Sequence, residues 1–434
     1  MKFLPLLFAS FGLISPAFAA PVVQSGDVVA VCGDSLTEQG DYSIDIEDYL
    51  LMCAPVTNIK TVQFGDSGGT IPSLLSHIDL NVLTLSPQVA TIEYGVNDNG
   101  LHTLTPDIIN KYSTSLATLI KKLQAAGTRT VIVGAPAIVD TFYFKNPKYP
   151  EINATIYNET LGQQGKIGQQ VAEANGAIFA DMHTPLMLAM EKSKAAYGEK
   201  YPFSSNVDGM HGGANEHLVI AYAFLKAMGF DGNIGTITYD AANGTTEAST
   251  GQRVISSGNG KVVIESSRYP FCFFHGMLDP DLQDAPADFM GSFGNGDAAI
   301  LPFVPFNQDL NRYTLIVKNL KSPKAKITWG DQSKEFTAAE LAQGINLAAE
   351  FLKNPFVPAF GAITKQIEDK QTFETMYLKG ILQNQKSLLD QAPGHQTDFD
   401  SVHAGFRNIH MAILDNLQNA VKPVTHTITI EESQ

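Results

Sequence analysis

From residue 26 to about residue 230 the chain repeats one cadence: a short apolar run, a glycine-bearing break, then a longer segment with apolar residues at helical spacing. Val28 to Cys32, ending in Gly33, is the first strand signal, and Asp41 to Met52 has helical spacing. Further strand signals are Thr61–Phe64, Gln88–Tyr94, Thr130–Ala135 and Ala177–Ala180. Helical patterns fall at Ile71–Ile78, Ile108–Ala126, Tyr157–Ala174 and Ala214–Met228, the last three closed by Gly127, Gly176 and Gly229. Strands that alternate with helices predict an α/β domain, a parallel sheet with helices on both faces. In such a sheet, ligands bind beyond the carboxyl ends of the strands.

The texture changes after Gly235. Residues 236–330 carry short β-rich runs, such as Lys261–Glu265, Tyr313–Val317 and Ala325–Trp329, broken by Gly, Asn, Asp and Pro. From residue 331 the pattern is mainly helical: Thr337 to Glu340 is a capping box, and two more helices are expected around Ile363–Leu389 and Asp400–Ala420. The expected division is an α/β domain at 20–235, a β-rich domain at 236–330 and a helical region at 331–434. Residues 1–19 read as a cleaved signal peptide rather than a span. Lys2 precedes the apolar run Phe3–Ile14, which is too short to cross a bilayer, and Ala17-Phe18-Ala19 is a cleavage site. The expectation is export, to the periplasm or the medium. A formal net charge of -15 with no basic stripe excludes nucleic acid and anionic membrane surfaces as partners. Three cysteines, Cys32, Cys53 and Cys272, are too few for a disulfide scaffold, and no Cys/His spacing suits a metal.

Four stretches carry chemistry. Gly33-Asp34-Ser35-Leu36 follows the first strand, where a turn would present the serine hydroxyl to the ligand crevice. That hydroxyl is a weak nucleophile until a base takes its proton. Asp208-Gly209-Met210-His211 supplies such a base, with a carboxylate close enough in sequence to fix the imidazole tautomer. Gly95-Val96-Asn97-Asp98 follows the third strand, and the Asn97 amide can donate to an oxyanion. Gly65-Asp66-Ser67-Gly68-Gly69-Thr70 follows the second strand and offers a backbone N–H at close approach.

These four pieces, in this order over roughly residues 26–230, resemble the four blocks of the SGNH (GDSL-type) hydrolases. The resemblance implies a flavodoxin-like three-layer sandwich. It implies Ser35 as nucleophile, Asp208 and His211 as its triad partners, and an oxyanion hole from Ser35, Gly68 and Asn97, with Gly69 the rival for Gly68. Two departures touch the helix after the histidine: Gly212 stands where the family often has proline, and Glu216-His217 where it often has Gly-His. The implied function is a secreted serine esterase that needs no metal or organic cofactor. Export, acidity and the attached β-rich domain favour an acetyl ester on a polysaccharide. Alternatives are a lysophospholipase or arylesterase of the same family, or a non-catalytic carbohydrate-binding protein with a decayed hydrolase domain.

Gly65-Asp66-Ser67-Gly68-Gly69 also fits two other serine-hydrolase patterns. A chymotrypsin-like order needs a histidine before the serine, and the first histidine is His77. A G-x-S-x-G elbow at Ser67 has Asp208 and His211 downstream, but it would leave Ser35 and Asn97 without roles. Glu38, Asp98 and Asp34 receive no catalytic role, His183 and His217 read as structural or surface histidines, and Trp329 reads as a core residue.

Overall fold

Strand β1 (Val28–Gly33) is flanked in register by β2 (Lys60–Gly65) and β3 (Val89–Glu93), both parallel to it. Strands β4 (Thr130–Gly134) and β5 (Ile178–Ala180) extend the sheet in parallel beyond β3. The strand order β2-β1-β3-β4-β5 is the flavodoxin-like one, as the family resemblance implies. The computed structural model describes residues 20–204, 207–273 and 297–433, so the signal-peptide expectation for residues 1–19 lies outside the described residues.

Helices connect the strands: α1 (Ser35–Gln39), α2 (Asp41–Asp48), α3 (Ile71–His77), α4 (Pro106–Ala125), α5 (Ala154–Ala174), α6 (His183–Tyr197) and α7 (Ala214–Ala227). Side-chain caps start several of them. Thr105 accepts from the Ile108 N–H and Asn153 from the Ile156 N–H. The segment expected as one helix from Asp41 to Met52 stays α-helical only to Asp48 and widens into a π-helix at Tyr49–Cys53. The sheet interior is apolar on both faces, with Val29, Ala30, Val31 and Cys32 of β1 all buried.

Beyond residue 232 two further sheets face each other. One has the order β13-β10-β6-β7, from β6 (Asn233–Asp240), β7 (Thr245–Ala248), β10 (Arg312–Lys318) and β13 (Ile345–Asn346). The other has the order β12-β11-β14-β9-β8, from β8 (Gln252–Gly258), β9 (Lys261–Ser266), β11 (Lys324–Trp329), β12 (Gln332–Thr337) and β14 (Val424–Ser433). Tyr313 of the first sheet stacks on Trp329 of the second at 5.7 Å between ring centroids. Trp329 is fully buried, as a core residue should be.

The helical part is an excursion between β12 and β14. Helices α9 (Ala338–Gln343) and α10 (Leu347–Glu350) are short, as is α8 (Phe306–Asp309), which precedes β10. Thr337 and Glu340 form the expected capping box of α9. The longer α11 (Val357–Glu374) runs into a π-helix at Thr375–Gln383, followed by α12 (Gln385–Gln391) and α13 (Gln396–Ala420). The chain then returns as β14 to the middle of the second sheet, between β11 and β9.

A buried ionic network ties this excursion to the α/β unit. Lys370 Nζ lies 2.6 Å from Glu47 of α2 and 3.1 Å from Glu374. Glu374 accepts from the Gln63 N–H at 3.0 Å and meets His410 Nε2 at 2.7 Å. The Gln63 contact covers the free edge of β2, the outer strand of the parallel sheet. Burial works against the Lys370 charge, but Glu374 and Glu47 outweigh it, and its pKa rises above that of an ordinary lysine. One apolar core runs through all of these parts, from Val29 and Tyr42 to Phe271, Phe306, Trp329 and Phe360.

Candidate active site

The connections from β1 and β3 leave the sheet in opposite senses, so the carboxyl ends of these neighbouring strands flank a crevice. Ser35 follows β1 and Asn97 follows β3. The turn into α1 is shaped by two residues. Asp34 caps the helix by accepting from the Leu36 N–H at 3.1 Å. Gly65 at the end of β2 lets α1 pass over it, because a β-carbon there would stand 2.2 Å from the Glu38 nitrogen.

His211 arrives from the long loop between α6 and α7, and its Nε2 lies 2.8 Å from Ser35 Oγ. Its Nδ1 lies 2.6 Å from Asp208 Oδ2. The other Asp208 oxygen accepts from the backbone N–H groups of Met210 and His211, at 2.8 and 3.1 Å. Gly209 makes the turn between them with φ +69°, and a β-carbon there would stand 2.3 Å from the Phe144 nitrogen. The loop is pinned beyond the histidine, since the Gly212 carbonyl accepts from Gln39 Nε2 at 3.0 Å. The hydrogen bond with Asp208 raises the His211 pKa above its ordinary value against the opposing effect of burial. Burial disfavours the Asp208 charge, yet the His211 ring and the two backbone donors hold its pKa below the usual carboxylate range.

Gly68 lines the same cavity as Ser35, Asn97 and His211. The Gly69 N–H is engaged in the turn, donating to the Asp66 carbonyl at 2.7 Å, so of the two glycines Gly68 is the one beside the ligand space. Ser67 is exposed in that turn, and His211 Nε2 meets Ser35 rather than Ser67. Asn97 donates one amide hydrogen to Asp34 Oδ2 at 3.1 Å, which fixes the side chain with its nitrogen toward the serine turn. Asn97 also lines the cavity.

Two carboxyl groups lie beneath this arrangement. Glu93, fully buried at the end of β3, is electrostatically coupled to Asp34. Burial and then the Asp34 charge push the Glu93 pKa well above its ordinary value. Burial also raises Asp34, to about 6, opposed by the hydrogen bond from the Leu36 N–H. Sequence reasoning missed Glu93. The signal was there: an acidic residue inside the strand Val89–Glu93, every residue of which is buried.

The cavity measures about 540 Å³ and is lined by Leu36, Glu38, Gln39, Val96 and Met210 besides the residues above. Glu38 and Gln39 also line a neighbouring cavity of about 430 Å³, together with Asp41, Gln63, Gln371 and Thr372. His217 is buried, stacked on Tyr42 at 5.9 Å, with its Nδ1 accepting from the Tyr42 N–H. His183, partly buried, begins α6. Cys32, Cys53 and Cys272 are all buried free thiols, each with its pKa pushed up by burial. Among the described residues no helix is long and apolar enough to cross a membrane.

Residues 31–202 match the GDSL-like Lipase/Acylhydrolase family. That range holds Ser35, Gly68 and Asn97 and stops short of Asp208 and His211. An acetylxylan esterase of Geobacillus stearothermophilus is 24% identical over 229 residues, covering 48% of this chain and 97% of that protein. Among solved structures, a gut microbial diltiazem-metabolizing enzyme aligns over 96% of this chain and 99% of its own, with a TM-score of 0.71 and 20% identity. That likeness is one of fold, and it extends through the C-terminal sheets and helices. A solved acetylxylan esterase from Geobacillus stearothermophilus aligns over 48% of this chain and 96% of its own, with a TM-score of 0.38 and 21% identity.

Proposed function

We propose that the chain is a carboxylic ester hydrolase working through an acyl-enzyme on Ser35, a reading that the match of residues 31–202 to the GDSL-like Lipase/Acylhydrolase family supports. The 2.8 Å contact between Ser35 Oγ and His211 Nε2 is the observation that carries this reading. Asp208 keeps the His211 proton on Nδ1, so Nε2 is free to accept from the serine. Ser35 Oγ bonds to the ester carbonyl carbon as His211 takes its proton. The carbonyl oxygen becomes an oxyanion, held by the N–H groups of Ser35 and Gly68 and by the Asn97 amide. On collapse the carbon–oxygen bond to the alcohol breaks and His211 protonates the departing oxygen. Water then repeats the sequence, with His211 as base, and releases the acid and Ser35.

The substrate in this reading is an acetyl ester on a carbohydrate. The acetylxylan esterase relative supports it. So does the cavity beyond Glu38 and Gln39, whose Asp41 and Thr372 offer hydrogen bonds to a hydroxyl-rich alcohol. The signal-like sequence at residues 1–19 supports export to where such polymers are met. Turnover of p-nitrophenyl acetate and acetate release from acetylated xylan test the reading together. It expects both activities in the wild type, neither in Ser35→Ala, and a decline in rate as the acyl chain lengthens. A preference for long acyl chains would move the substrate to a lipid. Activity retained by Ser35→Ala would overturn the mechanism.

A further inference from the structure

The loop that carries Gly68 is held from outside the α/β unit. The Ser67 N–H donates to Glu38 Oε2 at 2.5 Å, and the same carboxylate oxygen lies 2.6 Å from Lys379 Nζ. Lys379 also approaches Asp66 Oδ1 of the same turn at 3.5 Å. It belongs to the π-helix Thr375–Gln383, more than 170 residues past the end of the matched family domain at residue 202. π-Helical turns are uncommon and gather at functional sites. This one is anchored at its base by Glu374, which holds the Gln63 N–H. Gln63 in turn holds the Thr37 carbonyl and the Gly65 N–H, at 2.9 and 2.8 Å. Thus α1 and the end of β2 are gripped from the same side.

We propose that Lys379 is a positioning residue for ester hydrolysis. Acting through Glu38 and the Ser67 N–H, it sets the turn so that the Gly68 N–H points at the developing oxyanion. The inference rests on the reading of Gly68 as an oxyanion donor given above. The C-terminal excursion is then part of the catalytic apparatus and not only an appended module. The physical requirement is rigidity: a donor contributes to catalysis when it needs no reorganisation as charge develops, and small misplacements are costly. Gly68 is a φ +74° glycine in an exposed turn, a backbone that by itself has wide freedom.

The charged neighbourhood of Glu38 is mixed. Lys379 and Asp66 face it from the turn side, Asp34 and His211 line the catalytic cavity with it, and Asp41 and Glu368 line the adjoining cavity. Burial works against the Glu38 charge, but the hydrogen bond from Lys379, followed by that of Ser67, keeps its pKa below the ordinary value. Removing the lysine charge lets that carboxyl protonate at higher pH.

The test compares the full chain with Lys379→Met and Lys379→Arg on p-nitrophenyl acetate, over pH. The expected result for Lys379→Met is a fall in kcat of about 10-fold, less than the ~10²–10³ for outright loss of a donor, with KM little changed. Its acid limb should move to higher pH, and Lys379→Arg should restore most of both. Thermal unfolding followed by circular dichroism establishes that the variants are folded. A folded Lys379→Met with wild-type kcat and an unmoved acid limb overturns the proposal. So does a Lys379→Arg that behaves like Lys379→Met. Absence of wild-type turnover, or turnover surviving in Ser35→Ala, overturns instead the reading on which the proposal rests.

Discussion

Among the described residues the same serine–histidine contact occurs twice. Ser35 Oγ lies 2.8 Å from His211 Nε2, and Ser266 Oγ lies 2.9 Å from His426 Nε2. What separates them is the third partner. His211 Nδ1 meets the Asp208 carboxylate, which can only accept, so its Nε2 is left as an acceptor for the serine proton. His426 Nδ1 accepts from Trp329 Nε1–H at 3.0 Å, and an indole can only donate. The neutral His426 ring therefore carries its proton on Nε2, turned toward Ser266 and Tyr313, and cannot take another from the serine. Surroundings reinforce the contrast. His211 lines an open cavity and its pKa is raised, whereas burial pushes His426 down to about 4. A short Ser–His distance leaves the ring able to take the serine proton only when its far nitrogen meets an acceptor rather than a donor.

The comparison can be broken most forcefully at the serines. Ser35→Ala should lower kcat/KM by at least about 10⁴-fold, while Ser266→Ala leaves it unchanged. Equal effects would erase the distinction. Asp208→Asn should cost about 10²–10⁴-fold. In that variant the acid limb moves to lower pH. The active form needs neutral His211; Asp208 raises the His211 pKa, so its removal lets the ring lose its proton at lower pH. This is the opposite of the shift expected for Lys379→Met, and pH–rate profiles separate the two. Asn97→Ala should reduce kcat about 10²–10³-fold with less change in KM. The smallest kinetic effect belongs to the buried pair. Trp329→Phe removes the donor to His426 and should lower unfolding free energy by about 1–3 kcal/mol in urea titrations, with kcat unaltered.

Much of this was legible in residue order. The strands could be placed because buried parallel strands are short apolar runs bounded by glycine, and all five fall within a residue or two of the expected spans. The four chemical stretches lie at strand ends or in one long loop, where sequence patterns are local. The less legible features depend on distant partners. Glu38 gains its neighbour Lys379 from 341 positions away, and nothing local to either marks the pairing. The residues expected as a β-rich part and a later helical part are interleaved. Helices 357–420 lie against α2 and β2, and β14 closes the second sheet between β9 and β11. The alternation Thr425-His426-Thr427-Ile428-Thr429-Ile430 is a strand signal that would have revealed β14. Helix α6 escaped notice because its apolar and polar residues are poorly segregated.

The most direct measurement is mass spectrometry of the intact, unmodified chain after reaction with a fluorophosphonate, which captures an activated serine. The account predicts a single stoichiometric adduct on the peptide bearing Ser35, with Ser266 and Ser67 unmodified. An adduct on Ser67 or Ser266, with Ser35 untouched, would contradict it.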